Sequence, residues 1–308
     1  MAEGREDLEE DIWSSWLLRL RHADDPEYEP EVRAEIVRFA DRVIDAAHLA
    51  PGMTVIDVGT GDGLVGLRAI THVGSTLKVI FTDISAVLLR ETRVTATDMG
   101  VAGQCTFLQG SAEQLAGIPD ASVDVVVTRA SLAYVADKGA ALREFHRVLK
   151  PGGRISIAEP ALQEEAFKAR ILRQRVEASR GPQQDRFLTL LHRWHAAQFP
   201  DTEEEQARTP HVNYGERDLI TWARAAGFQH IHMQLEIDIL PTVNRSWSRF
   251  IGTSPHPLAP TLGQIMVDRF SAEERELFEG RMRPQIERGA TESTHRIIYL
   301  TARKAGIS

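Results

Sequence analysis

The apolar positions along this chain change rhythm twice. Up to residue 50 they recur at helical spacing: Leu8, Ile12, Trp13, Trp16, Leu17 and Leu20 form one stripe, broken by Pro26 and Pro30. Val32, Ile36, Val37, Phe39, Ala40, Val43 and Ile44 form a second, which ends near LAPG at 49–52. From there short β-branched runs predict strands at 53–58, 78–82, 105–108, 123–128 and 154–158. Helical segments fill the gaps, notably 85–99 and 138–149. These strands are apolar throughout, the pattern of a parallel sheet covered on both faces.

After Pro160 the pattern loosens. Residues 161–210 read as a polar helical stretch interrupted by ASRGPQQD and FPDTEEEQARTP. Alternation resumes with a helix at 216–226, Gly227 and a strand at 229–239; two or three helices then lead to a last strand at 295–302. The expected fold class is α/β, a doubly wound, mostly parallel seven-stranded sheet of Rossmann-like form, with added helices forming a lid. No internal repeat or long low-complexity segment disturbs a core of about 200 residues.

Composition narrows the function classes. The 308 residues are 43% hydrophobic and 26% charged, ordinary for a globular chain able to bury a sizeable core. A formal charge of −8 gives no electrostatic reason to approach nucleic acid or an anionic membrane, so neither is an expected partner. Cys105 is the only cysteine, which excludes an internal disulfide and a thiolate cluster. The start, MAEGREDLEEDIW, lacks the apolar core of a signal peptide, and no window approaches the ~20 apolar residues of a membrane span. The expected location is cytoplasmic.

Chemistry concentrates after the first strand, in VIDVGTGDGLVGLRA. Gly59, Gly61 and Gly63 spell G-x-G-x-G, which points to S-adenosylmethionine; Gly61, Gly63 and Gly66 spell G-x-G-x-x-G, which points to a dinucleotide. Position separates them. The strand ends at Val58, so the first three glycines occupy the turn and Gly66 already lies in the helix. Charge separates them further, because Asp57 on the strand and Asp62 in the loop would repel a pyrophosphate and tolerate an ammonium and a sulfonium. Asp83, about 20 residues past the last glycine, is placed to accept both ribose hydroxyls, which the two ligands share. NAD is the least favoured alternative.

These stretches resemble the motifs of class I S-adenosylmethionine-dependent methyltransferases of the small-molecule group. VIDVGTGDG is similar to the family's first motif, FTDIS to the second and QGSAEQL at 109–115 to the third. VDVVVTRASLAYVADKGAALREFHRVLKPGGRISIAEP is similar to the fourth and later elements, with RVLKPGG the most diagnostic part. The resemblance covers roughly 50–240. It implies that Gly59 and Gly61, with Asp57, Thr60, Asp62 and Gly63 around them, bring backbone close to the methionine part of the cofactor. Asp83 would bind ribose, Ile84 would pack on adenine with Ser111 and Ala112 at its edge, and Arg129 would line the pocket. Where many relatives carry Asp in the third motif this chain has Ser111, which shifts adenine recognition to backbone or to Glu113. TRASLAYV lacks the Asn/Asp-Pro-Pro-aromatic signature of nucleic-acid amino methyltransferases, and Cys105 lacks the Pro-Cys setting of cytosine-C5 enzymes. Arsenite methyltransferases need several cysteines, so arsenite is not the expected substrate.

The expected division is a helical cap at 1–50, a cofactor core at 51–160, a helical insertion or lid at 161–215, and the rest of the sheet with added helices at 216–308. The helix 183–199 carries Phe187, Leu191 and Trp194 along one face, with His195 inside the stripe and His192 at its margin. The simplest reading is one packed and one exposed histidine; the sharper one makes His195, or His192, a base facing the acceptor. Trp13, Trp16, Tyr134, Glu159, His211 and Tyr214 are the acceptor-pocket candidates, although the tryptophans also suit plain packing and Glu159 a helix cap. No trustworthy metal-ligand spacing appears among the eleven histidines, so no metal is expected. The function expected is methylation of a small organic acceptor at O, N or C. A different reaction on the same scaffold (decarboxylation, hydroxylation or cyclisation) and a non-catalytic ligand-binding module are the alternatives. Fold does not name the acceptor, and the oligomeric state stays open.

Overall fold

Five β-branched runs become five parallel strands: β1 (Thr54–Val58), β2 (Lys78–Asp83), β3 (Cys105–Gln109), β4 (Val123–Arg129) and β5 (Leu149–Pro160). Two antiparallel strands, β6 (Gln229–Pro241) and β7 (Glu292–Arg303), complete a seven-stranded sheet of order β3-β2-β1-β4-β5-β7-β6. This is a computed structural model, and it describes residues 9–179, 185–242 and 244–306. Leu8, the first residue of the N-terminal stripe, and the 183–184 start of the histidine helix lie outside them.

Helices cover both faces. On one lie α2 (Glu29–Ala47), α3 (Leu64–Val73) and α4 (Ala86–Asp98), whose Val43, Ile44, Leu67, Ile70 and Leu89 pack against Val55, Val79 and Phe81. On the other, α5 (Lys138–Val148) and α9 (Glu216–Ala225) bury Leu142, Phe145 and Leu219 against Ile56, Val126 and Ile155. The strands therefore need apolar side chains on both sides, which is why they do not alternate. Gly66 lies where α3 crosses β2; a Cβ there would overlap the Phe81 ring, so it eases helix–strand packing, as its place in the sequence implies.

The remaining helices are α1 (Ile12–Leu18), α6 (Gln163–Ala178), α7 (Arg186–Gln198), α8 (Glu203–Arg208), α10 (Trp247–Gly252), α11 (Leu262–Arg269) and α12 (Ala272–Glu287). The apolar stripe of α7 does not face the sheet. Leu190 and Trp194 join Trp247, Ile265, Phe270 and Phe278 in a separate hydrophobic cluster formed by α7, α10, α11 and α12. Among the described residues no helix is long and apolar enough to cross a membrane.

Candidate active site

The strand order reverses between β1 and β4, and open α/β sheets bind ligands in the crevice beyond the carboxyl ends of the strands at that point. A cavity of about 570 Å³ lies there, within the range of small-molecule sites. The glycine loop, the ends of β2 and β4, and the segment after β3 build one part of its wall. Of the twelve residues the resemblance assigns to the cofactor, all line the cavity except Gly63, which turns into α3 behind it.

Local geometry explains the loop sequence. Gly59 has φ +63, and a Cβ there would overlap Oγ and Cβ of Ser131, which crosses immediately in front. The Asp57 side chain is buried and accepts hydrogen bonds from Thr60 Oγ1 and from the Gly66 amide, both at 2.9 Å. Burial pushes its carboxyl up to about 6 against those two bonds. Asp62 accepts weakly from the Leu64 amide at 3.3 Å and pairs with Arg33 at 3.1 Å and Arg21 at 3.6 Å. Amides at the start of α3, the usual cradle for a phosphate, are thus already engaged by carboxylates of the chain itself. A pyrophosphate would have to displace them, which argues against a dinucleotide.

Asp83 has the opposite character. Its Oδ2 accepts from the Gly61 amide and its Oδ1 from the Ser85 amide, each at 2.9 Å, and burial raises its carboxyl. Each oxygen keeps a further lone pair for a ligand hydroxyl. Beside it Ile84 is 49% exposed, an apolar side chain offered to the cavity. Glu113 anchors the third-motif segment, accepting from the Asp137 amide at 2.6 Å and lying 3.4 Å from Ser111 Oγ. A carboxylate with spare acceptors, an open apolar wall and a glycine turn fit an adenosine ligand.

The acceptor-pocket candidates divide. Trp13, Trp16 and Tyr134 line the cavity, with Trp13 edge-on to Tyr134 at 5.3 Å between centroids. Glu159, His211 and Tyr214 are buried behind this wall and are not among its lining residues. Glu159 accepts from the amides of Ser131, Leu132 and Ala133 at 3.2, 3.0 and 2.9 Å, yet burial still raises its carboxyl to about 7. It holds the segment after β4 in place. Tyr214 donates to the Pro160 carbonyl at 2.9 Å and carries the Lys138 ammonium over its ring. His211 sits between Tyr134 and His256, at 5.8 and 4.5 Å between centroids, with burial pulling it down to about 4.

His192 and His195 are not brought to the cavity. His192 Nε2 lies 2.6 Å from Asp201 Oδ2, and His195 packs on Trp194 at 4.6 Å between centroids with its Nδ1 buried and unpartnered. Burial pulls His195 down to about 3. The cover of the cavity comes from elsewhere. Leu17 of α1 lies against Gly61, Arg21 follows it, Leu162 follows β5, and Pro255 and Pro257 reach in from the segment between α10 and α11. Leu17 was in the N-terminal stripe; Arg21 and the two prolines carry no sequence signal, since nothing periodic ties them to the loop they cover. Ile36, Phe39 and Ile297, read as helix or strand packing, also line the cavity. Among the described residues no group of three or more His, Cys, Asp or Glu side chains could hold a metal ion.

Comparisons with known proteins bear on the family and the fold. The family model described as a methyltransferase domain matches residues 49–208. The ubiquinone/menaquinone biosynthesis C-methyltransferase of Shewanella sp. (strain ANA-3) is 36% identical over 125 residues, 40% of this chain and 49% of that protein. The chain therefore spans about half the length of the curated relatives it matches. Among solved structures, the YcgJ protein from Bacillus subtilis superposes with a TM-score of 0.53 at 20% identity, covering 88% of this chain and 99% of that one. The [4+2]-cyclase SpnF superposes with a TM-score of 0.51 at 19% identity, covering 91% and 83%. At those identities the structures speak to the fold alone.

Proposed function

Because the chain belongs to the methyltransferase-domain family, we propose that it moves a methyl group from S-adenosylmethionine to a small organic acceptor bound in the cavity at the β1–β4 switch point. The observation that carries this reading is the division of labour among three carboxylates. Asp57 and Asp62 take up amides at the start of α3, while Asp83 keeps acceptors for ribose hydroxyls. The curated relatives, named for C-methylation in ubiquinone and menaquinone biosynthesis, support an acceptor of small-molecule size.

When bound, S-adenosylmethionine supplies an electrophilic methyl group on a positively charged sulfonium. The chain's part is to bind, orient and exclude water. Asp83 would hold the ribose, Ile84 and Ala112 the adenine, and the Gly59–Gly61 backbone the methionine part. Glu159 fixes Ser131, Leu132 and Ala133, and so holds the segment that brings Ser131 to the cavity. Trp13, Leu17 and Pro257, which line the cavity, would help exclude water from it. In this reading no base is drawn from α7, whose His192 and His195 do not line the cavity.

Titration calorimetry tests the cofactor and release of S-adenosylhomocysteine tests the transfer. S-adenosylhomocysteine should bind, and Asp83→Ala should weaken it by ~1–3 kcal/mol, the scale of charge-assisted hydrogen bonds. Binding of NAD with no response to either sulfur ligand would overturn the reading. Turnover should persist in excess chelator; a loss restored by magnesium or zinc would show that a metal takes part.

A further inference from the structure

Arg129 ends β4 opposite Ala158, and the next residue, Ala130, sits at φ +51, a left-handed conformation that ordinary side chains rarely adopt. The chain turns sharply there, at the wall of the cavity. The Arg129 side chain makes no hydrogen bond or ion pair among the described residues, and burial weakens its hold on its proton. Its nitrogens are not among the sealed, unpartnered polar atoms, so they open onto space, and the space beside them is the cavity.

The surrounding acids are engaged elsewhere. Asp57 is held by Thr60 and Gly66, Asp62 by Arg21 and Arg33, and Glu159 by three amides. They offset the charge of Arg129 through space without using its donors. Five N–H donors in one plane, deep in the molecule and facing a cavity, match a carboxylate, which such a fork binds through two parallel bonds. The same cavity is lined by broad apolar side chains, among them Trp13, Phe39, Tyr134, Leu162 and Ile297.

We propose that Arg129, which the family resemblance groups with the cofactor residues, instead selects the acceptor: the small molecule methylated here is an apolar or aromatic carboxylic acid, its carboxylate held by the Arg129 guanidinium and its body by the apolar lining that Trp13, Phe39 and Tyr134 give the cavity. This rests on the methyltransferase reading and adds the substrate class to it. A carboxylate could also come from the cofactor's own methionine part, so the experiment separates the two sources.

Protein saturated with S-adenosylhomocysteine is titrated calorimetrically with matched acid and amide pairs: benzoate and benzamide, 1-naphthoate and 1-naphthamide, indole-3-acetate and indole-3-acetamide, decanoate and decanamide. At least one acid should bind tenfold or more tighter than its amide. Arg129→Gln should erase that preference, Arg129→Lys should keep part of it, and both should leave S-adenosylhomocysteine affinity within about twofold. Circular dichroism of both variants checks folding, and removal of an unpaired buried charge should leave the melting temperature unchanged or higher. Equal binding of acids and amides, or no binding of any acid at millimolar concentration, overturns the proposal. So does a loss of S-adenosylhomocysteine affinity in Arg129→Gln with 5′-methylthioadenosine affinity unchanged, because Arg129 then holds the cofactor's carboxylate. Failure of the wild-type chain to bind S-adenosylhomocysteine would instead strike the methyltransferase reading.

Discussion

Two positions show how a single residue type is dictated by its surroundings. At Gly59 the backbone is left-handed and a Cβ would overlap the Ser131 side chain, so Gly59→Ala meets both strain and a clash. S-adenosylhomocysteine affinity should fall by tenfold or more in that variant, and the double variant Gly59→Ala with Ser131→Gly should recover part of it. No recovery would place the effect in backbone strain alone. His195 concerns protons instead. Its folded value near 3 lies below the ordinary 6.5, so the folded chain refuses a proton that the unfolded chain takes up. Its contribution is complete above pH 6.5 and is lost as pH falls toward 3, at up to about 1.4 kcal/mol per pH unit. Asp57 and Glu159, raised to about 6 and about 7, act with the opposite sign, since their folded forms hold protons that the unfolded chain releases. The difference between wild type and His195→Gln cancels them. Denaturant melts from pH 7 to 4 should show a shallower acid loss in the variant, with turnover near wild type at pH 7. A turnover drop of a hundredfold at unchanged cofactor affinity would restore His195 as a base.

At the scale of elements, α1 behaves as a strap across the glycine loop. Asp11 caps its start, accepting from Trp13 and Ser14 at 2.9 and 2.8 Å. Near its far end Trp16 Nε1 donates to the Ser254 carbonyl at 3.0 Å, and in the connection to α2 Asp25 pairs with Arg249 at 2.7 Å. If α1 gates exit, a ligand beneath Leu17 leaves only when this strap lifts. Trp16→Phe keeps the ring and removes one hydrogen bond, so S-adenosylhomocysteine should dissociate about 2- to 10-fold faster by stopped-flow fluorescence. An unchanged rate would mean that α1 does not gate exit. The strap also shows where sequence reading stops. β1 to β5 were legible because runs such as VDVVVT admit little but a buried strand, and the cofactor loop because glycines and acids stand in fixed order. The stripes of α1 and α7 were legible as stripes only. Periodicity says that a face is buried and not what buries it: α1 turned to the cavity and α7 to the helices after β6. The capture of Asp62 by Arg21 and Arg33 and the reach of Pro257 are contacts between distant segments, set by packing that no local pattern records.

Across the whole molecule two kinds of core coexist. The sheet is clamped between two large hydrophobic clusters, whereas α7, α10, α11 and α12 share a smaller one centred on Phe278. Phe278 is fully buried and meets the rings of Phe187, Trp194 and Phe270 at 5.8, 5.9 and 5.6 Å between centroids. Phe278→Ala should therefore cost ~3–5 kcal/mol where that loss is felt. Separate packing makes the loss local: amides of the four helices should exchange faster, while those of β1, β2 and β4 keep their protection. Pro255 and Pro257 hang from the segment between α10 and α11, so loosening these helices should also loosen the cavity cover and weaken S-adenosylhomocysteine binding. Hydrogen exchange by mass spectrometry on the loaded protein reads both effects at once. Uniform loss of protection across sheet and helices would show a single cooperative unit. The helices would then be part of the core rather than an attachment that shapes the acceptor's side of the site.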